Sequence, residues 1–448
     1  MKRLLIILSA SIFTITSCSK RLDIQPTQSV DEQSVFSTDA NIKSALNGAY
    51  DVVSGGALLG GDLQMYSELL GAGGEIRWVG TYQQPNEIYK KSMLTNNSFI
   101  RDTYTEAYRA INICNNIIAA IDIVKESDRD NVKGQALFMR GMLYFELVKL
   151  YSKPYSAGNV ATNMGLQIVT TPTINGQVTD ANNVARSSVE QTYQQILTDL
   201  TTAKSLLPKT YGVNVGSYTA SAVLSRVYLQ MADYANAAKE ADNVIENSGA
   251  KLETDYSKAF NNTAPSSEDI YVMPVTAQDG SNDMQLYWSI LDYGARDGDI
   301  EVRQAHINLY EANDARLALF YIDDNDIYRS GKWKFQYRYL PVIRLAEMYL
   351  TRAEANFRMG TSIGDTPGND LNAVIRKRAG LNPVVVNLAN IIYERRLELA
   401  HEGQRIHDIR RLKLSVDGFA YDDNKSIFPI PAREVNAGSG ILIQNPGY

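Results

Sequence analysis

Cysteine is almost absent from this 448-residue chain, which has only Cys18 and Cys114, alongside three histidines and three tryptophans. Two cysteines allow at most one disulfide, so no disulfide framework holds the fold. The histidines are poorly placed for a metal. His401 and His407 stand six residues apart, whereas a helical zinc pair needs a spacing of four, and His306 is isolated. An excess of positive charge is also missing. With 44 Lys and Arg against 50 Asp and Glu, the net charge is −6, which argues against nucleic acid or an anionic membrane surface as a partner. Outside residues 4–15, no apolar run approaches the eighteen or so residues of a membrane-spanning helix. No Gly-x-Ser-x-Gly elbow occurs, and Gly71-Ala72-Gly73-Gly74 lacks the Gly-Lys-Ser/Thr ending of a phosphate loop. Asp323-Asp324-Asn325-Asp326, and Asp297-Gly298-Asp299 with Glu301, lack the full calcium-loop pattern and read as solvated turns. No pair of carboxylates is marked out for glycosidase chemistry. Neither a metal nor a cofactor is expected.

The N-terminus gives Cys18 its meaning. Lys2-Arg3 precedes the apolar run 4–15, and Ile15-Thr16-Ser17 leads into the cysteine. A basic start, a short apolar core and small residues form a secretory signal, and a cysteine directly after them forms a lipidation site. Residues 1–17 are the expected signal, Cys18 the acylated residue, and 18–30, polar and aperiodic, the tether. Cleavage removes Lys2 and Arg3 and no acid, leaving 42 basic against 50 acidic residues, a net of −8. Cys114, in Asn112-Ile113-Cys114-Asn115, then has no partner and reads as a buried thiol on an apolar helix face.

The rest reads as helices interrupted by loops. Helical periodicity begins at Thr38-Asp39 and recurs over 99–124, 128–150, 187–206, 219–231, 233–247, 341–359, 370–379 and 388–402. Short strands are expected over 270–274 and 332–337. Ser225, Tyr228, Tyr234, Ala237 and Val244 fall where tetratricopeptide repeats place small and aromatic residues between paired helices. Gly141 with Tyr144, and Glu354 with Phe357, repeat part of that spacing. The expected architecture is all-α, with helical pairs as a scaffold over 38–250 and 338–415. Ligand-face insertions are expected over 55–97, 151–186 and 251–337. Glu394, Glu398 and Glu402, spaced by four, with Arg395, Arg396, Arg344, Glu347, Arg352 and Glu354, read as structural ion pairs on and between helices.

Several ordered blocks resemble the SusD/RagB family. They include Tyr108-Arg109-Ala110-Ile111-Asn112, the stretch 136–148 with Arg140, Gly141 and Tyr144, and 193–208 ending in Leu207-Pro208. Arg344-Leu345-Ala346-Glu347 with Arg352-Ala353-Glu354-Ala355, the run 394–411, Pro429-Ile430-Pro431 and Asn445-Pro446-Gly447-Tyr448 complete the set. The resemblance implies one SusD-like domain over 31–448, anchored at the cell surface in the outer membrane. It also implies non-catalytic capture of oligosaccharides for a SusC-like TonB-dependent transporter. Peptide capture, as in RagB-like members, is the alternative, followed by a surface glycoside hydrolase or a purely structural repeat adaptor. The chain departs from the family in its shortness and in Ser19-Lys20-Arg21-Leu22-Asp23, which lacks the acidic cluster that often directs surface export.

The family's ligand residues follow no fixed motif, so candidates come from chemistry. Sugars stack their C–H faces on aromatic rings while amide, carboxylate and guanidinium groups take the hydroxyls. With 27 tyrosines the chain has many such rings, most of them expected to pack between helices. Two loops combine these types: Trp78, Tyr82 and Asn86, with Glu75, Arg77, Gln83 and Tyr89 nearby, and Trp288, Tyr293, Arg296 and Asp297, with Tyr287 and Asp292. Trp333 reads as framework. For the anchor, Cys18→Ala is expected to abolish incorporation of labelled fatty acid and release the protein from membranes. Unchanged labelling of the variant would contradict the assignment.

Overall fold

The computed structural model describes residues 35–173, 177, 179–210, 212–438 and 440–448. Cys18, the signal 1–17 and the tether 18–30 lie outside them. In chain order the elements begin with helix α1 (Asp39–Ser54), α2 (Asp62–Leu70), strand β1 (Ile76–Trp78), α3 (Gln83–Tyr89), α4 (Ser98–Ala119) and α5 (Glu126–Tyr151). Next come β2 (Met164–Gln167), β3 (Arg186–Ser188), α6 (Val189–Leu206), α7 (Ser217–Gln230), α8 (Tyr234–Asn247), β4 (Asp269–Met273), α9 (Asp283–Trp288) and β5 (Ile300–Val302). The last are α10 (Gln304–Ile307), β6 (Phe320–Ile322), β7 (Tyr328–Ser330), β8 (Leu340–Arg344), α11 (Leu345–Met359), a π-helical segment (Asn369–Arg376), α12 (Leu388–Glu398), α13 (Arg405–Arg411) and α14 (Ala432–Ala437).

Several helices start where the sequence supplies caps. Thr38 accepts from the Asn41 N–H at the start of α1. Ser188 and Gln191 form a reciprocal capping box on α6, and Asp233 caps α8. Apolar stripes then set the packing order. Neighbouring helices pair as α4 on α5, α5 on α6, α7 on α8, and α8 on α11. In α8 the buried stripe is Ala237, Ala238, Ala241 and Val244, small side chains that let α7 and α11 approach closely. Gly141 serves α5 the same way, since a Cβ there would lie 3.0 Å from Asp199 and Leu200 on α6. The architecture is mainly helical and tetratricopeptide-like. Arg140 crosses this packing, donating to Asp199 at 2.6 and 2.8 Å and to Asn115 at 2.8 Å, and so ties α4, α5 and α6 together.

Three local expectations change. Residues 340–344 form a strand, not the first turn of the 341 helix, because they pair antiparallel with β4, Met273 opposite Leu340. Gly331–Trp333 is a single 3₁₀ turn where a strand was expected over 332–337. The segment 55–97 is not wholly a surface insertion, because α2 lies within it and all nine of its residues are buried.

The charged blocks do more than line helix surfaces. The 388–402 helix ends at Glu398, and Glu402 lies in the turn beyond it. Arg344, at the end of β8, donates to Glu402 at 2.6 and 2.8 Å, to Glu268 at 2.8 Å and to Glu398 at 3.2 Å. Arg378 meets Glu268 and Glu398 at 3.1 and 3.3 Å, and Lys332 meets Glu402 at 2.5 Å. Arg316 pairs with Asp314 and Glu394 at 2.7 and 2.5 Å. Around this centre, Glu347 takes Arg226 and Arg395, and Glu354 takes Arg411 and Arg358. Nearly all these side chains are buried, so each charge depends on its partners.

Burial pushes the Glu398 carboxyl up, but Arg378, Arg344 and Arg316 outweigh it and hold it at about 2. Glu75 is likewise held at about 2, with the His306 hydrogen bond and Arg405 overcoming burial. Both lie below the ordinary glutamate value of 4.5, so their stabilisation is present above that value and is lost as pH falls towards 2. Burial acts unopposed enough to lift Glu68 and Asp269 to about 7 and Asp370 to about 6. Those groups favour the fold at low pH and penalise it as pH rises through 6 to 7. Stability from urea titration is therefore expected to peak near about pH 5 and decline on both sides. A monotonic rise from about pH 4 to 8 would contradict this balance.

Candidate functional site

The two candidate loops are more than 200 residues apart in sequence and are joined by a small sheet. β1 pairs antiparallel with β5, placing Ile76 opposite Val302, Arg77 opposite Glu301 and Trp78 opposite Ile300. The sheet continues to β7 and β6 in the order β1-β5-β7-β6. Strand alternation turns Ile76 and Trp78 inward and Arg77 outward, where it pairs with Glu301 at 2.7 Å. Past β1, the Val79 and Gly80 N–H groups donate to the Asp299 carbonyl at 2.8 and 3.2 Å. Only glycine fits at position 80, because a Cβ there would sit 2.5 Å from the Asp299 carboxylate.

That close approach positions Arg296. Its Nε donates to Asp299 at 2.8 Å and its Nη2 to Thr81 at 3.0 Å. The guanidinium lies 3.7 Å from the centre of the Tyr82 ring, within cation–π range. Burial pushes the Asp299 carboxyl up despite the Arg296 charge beside it. Tyr82 is 41% exposed, and its ring meets Phe99 and Tyr287 edge-on at 6.1 and 6.4 Å. Tyr82 and Arg296, drawn from separate loops, thus form one fixed surface unit.

A second aromatic group lies on the loops around it. Tyr293 meets Tyr321 and Phe335 edge-on at 5.8 and 5.3 Å. Lys334 Nζ sits 4.4 Å from the Tyr293 ring centre and 4.7 Å from that of Tyr321. Phe335, Tyr337, Leu291 and Ile322 are exposed. The Asn261 side chain accepts from the Lys334 and Phe335 N–H groups at 2.9 and 3.1 Å, fixing that turn. Gln336 donates to the Gly294 carbonyl at 2.6 Å, linking the turn to the loop that carries Tyr293 and Arg296.

The structure separates the expected residues. Tyr82 and Arg296 come together, Tyr293 and Asp297 lie on the same loop as Arg296, and Asn86 is half-buried in α3. Both tryptophans require correction as stacking platforms. Trp78 is only 5% exposed, with its ring turned to the buried side of β1, 5.9 Å from Tyr287. Trp288 is fully buried and stacks on His401 at 4.5 Å. Neither indole presents a face to a ligand. Trp333 is framework, donating its Nε1–H to the His401 carbonyl at 2.9 Å. The acidic turn at 323–326 closes on itself, with Asp323 accepting from the Asn325 and Ile327 N–H groups and from Arg329. Sequence reading missed Phe335, Tyr337 and Tyr321. The signal was present in Trp333-Lys334-Phe335-Gln336-Tyr337, whose aromatics need not share one environment.

A family model described as the SusD family matches residues 175–448. Another, described as starch-binding associating with outer membrane, matches residues 20–229. SusD-like protein P2 of Formosa agariphila is 26% identical, with all of both chains covered. The starch-binding protein SusD of Bacteroides thetaiotaomicron is 35% identical over 24% of this chain and 21% of its own. A solved structure from Bacteroides vulgatus, titled a putative sugar binding protein, superposes with a TM-score of 0.81 at 27% identity, covering 92% of this chain and 99% of that one.

The Gly80–Asp299 contact gives a direct check on the site's construction. Gly80→Ala is expected to displace Asp299 and lower stability by about 1–3 kcal/mol, read from urea titration. An unchanged midpoint would contradict the packing described.

Proposed function

The chain belongs to the SusD family, and from that premise we propose that it is a non-catalytic binding protein that captures oligosaccharides on its loop-borne aromatic face. The observation that carries the reading is the exposed Tyr82 ring, held in place by Arg296. A pyranose lays its C–H face on such a ring, and the Arg296 and Thr81 groups beside it supply donors and acceptors for hydroxyls. The Tyr293, Phe335 and Lys334 group extends the surface and suits several sugar units. The names of the relatives, starch-binding and sugar-binding, support a carbohydrate over a peptide.

The protein is held at the outer membrane through lipidated Cys18, and its tether lets the folded part swing over a SusC-like TonB-dependent transporter. Binding and handover require differential affinity between open and closed states and no bond cleavage. The arrangement at the face agrees with that, since the Asp299 carboxylate is committed to Arg296.

Calorimetry against a panel of neutral oligosaccharides and peptides tests the reading. Tyr82→Ala is expected to weaken glycan binding about tenfold, the loss of roughly one well-placed aromatic contact. Trp78→Phe is expected to leave affinity unchanged. Binding to peptides and to no glycan would replace the carbohydrate reading, and release of reducing sugar would overturn the non-catalytic one.

A further inference from the structure

A second concave site lies away from the aromatic face. A cavity of about 190 Å³ opens between α2, β1, α12 and α13, with Tyr393 and Leu414 exposed at its walls. Two guanidiniums, Arg396 and Arg405, converge there on one carboxylate, Glu75 Oε1. The other oxygen of Glu75 is taken by His306 Nδ1 at 2.8 Å. Because Glu75 is held at about 2, it is ionised and accepts, so His306 donates from Nδ1. His306 Nε2 lies 3.3 Å from the Tyr310 hydroxyl, which donates to the Leu397 carbonyl at 3.1 Å. At about pH 6, where burial keeps the Glu68 carboxyl on the same wall, lifted to about 7, largely protonated, these two cations share one anion. Arg395, also on the wall, is already matched by Asp408 and Glu347 and adds no free charge.

His401 makes this a built site. It is 2% exposed, lines the cavity, and neither ring nitrogen has a hydrogen-bond partner among the described residues. Its ring is sandwiched between Trp288 at 4.5 Å and His306 at 4.8 Å, so it cannot turn to find a partner elsewhere. A buried imidazole with two orphan nitrogens is costly unless something in the cavity meets it. The Nε atoms of Arg396 and Arg405 are also buried, without partners among the described residues. The remaining wall is apolar, with Ile76, Ile392 and Leu399 among its residues.

We propose that this cavity binds a small monocarboxylate, its charge balanced by Arg396 and Arg405 and its short apolar body against Ile76 and Ile392. One unmatched positive charge selects a monoanion, and the planar guanidinium fork suits a carboxylate. The apolar wall selects against inorganic anions, which would stay hydrated there. The site is independent of glycan capture. Tyr287 of α9 belongs to the aromatic face, whereas its neighbour Trp288 stacks under the cavity.

Calorimetry at about pH 6 with sodium butyrate, butyramide and inorganic phosphate tests the proposal on the full mature chain. Butyrate is expected to bind with a Kd of about 1 mM, and butyramide and phosphate at least about tenfold more weakly. Arg405→Gln is expected to lower butyrate affinity about tenfold, while Tyr82→Ala leaves it unchanged. Should the arginine variant fail to fold, the butyrate–butyramide comparison on the unaltered protein still decides. Equal binding of the acid and its amide, tighter binding of phosphate, or no heat with butyrate would each overturn the assignment.

Discussion

The interaction on which the rest depends is the buried meeting of Arg344 with Glu268, Glu398 and Glu402. It joins three stretches far apart in sequence: the residue before β4, the end of β8, and the end of α12 with the turn after it. Burying these ions is unfavourable unless every partner is present, and removing one partner of such a pair typically costs about 3–5 kcal/mol. The network therefore acts as a test of correct assembly more than as a source of net stability. Helix pairs, by contrast, form from local apolar stripes and small residues.

From this centre the constraint passes outward to both concave surfaces. Lys332 reaches Glu402 and the Glu398 and Ala400 carbonyls, and its neighbour Trp333 holds the His401 carbonyl. That fixes the segment 331–338, which carries Phe335 and Lys334 to the aromatic face. It also fixes His401, which has a φ of 65° and stacks between Trp288 and His306. The loops of the face are irregular in outline, yet they are pinned to the most highly determined part of the interior. Rigid presentation of a few rings limits the ordering entropy lost when a ligand binds.

The sequence made different parts of this legible for different physical reasons. Caps and stripes act over three or four residues, so the helices, the start at Thr38-Asp39 and the small-residue pairing at Ala237 and Val244 could be read directly. The spacing of Glu394, Glu398 and Glu402 was readable as structural, but helix geometry suggested neighbours three or four positions away. Arg316, Lys332 and Arg344 instead come from 54 to 82 positions away, a separation set only by the tertiary fold. The candidate site shows the same division. Residue type singled out Tyr82 and Arg296, and these do meet. Type also singled out Trp78 and Trp288, where burial is decided by the β1–β5 pairing and by the His401 stack, neither of which leaves a local signature. Strand 340–344 was read as helix because the apolar run through it fits either periodicity, and its partner β4 decides.

Under the proposed function, an oligosaccharide rests on the face built by Tyr82, Arg296, Tyr293 and Phe335. Hydrogen exchange followed by mass spectrometry, with and without a saturating oligosaccharide that binds, tests this placement most directly. Slowed exchange is predicted over 79–83, 291–297 and 333–338, with the α5–α8 helices unchanged. Slowing confined to those helices, with the three loops exchanging as in the free protein, would contradict the account.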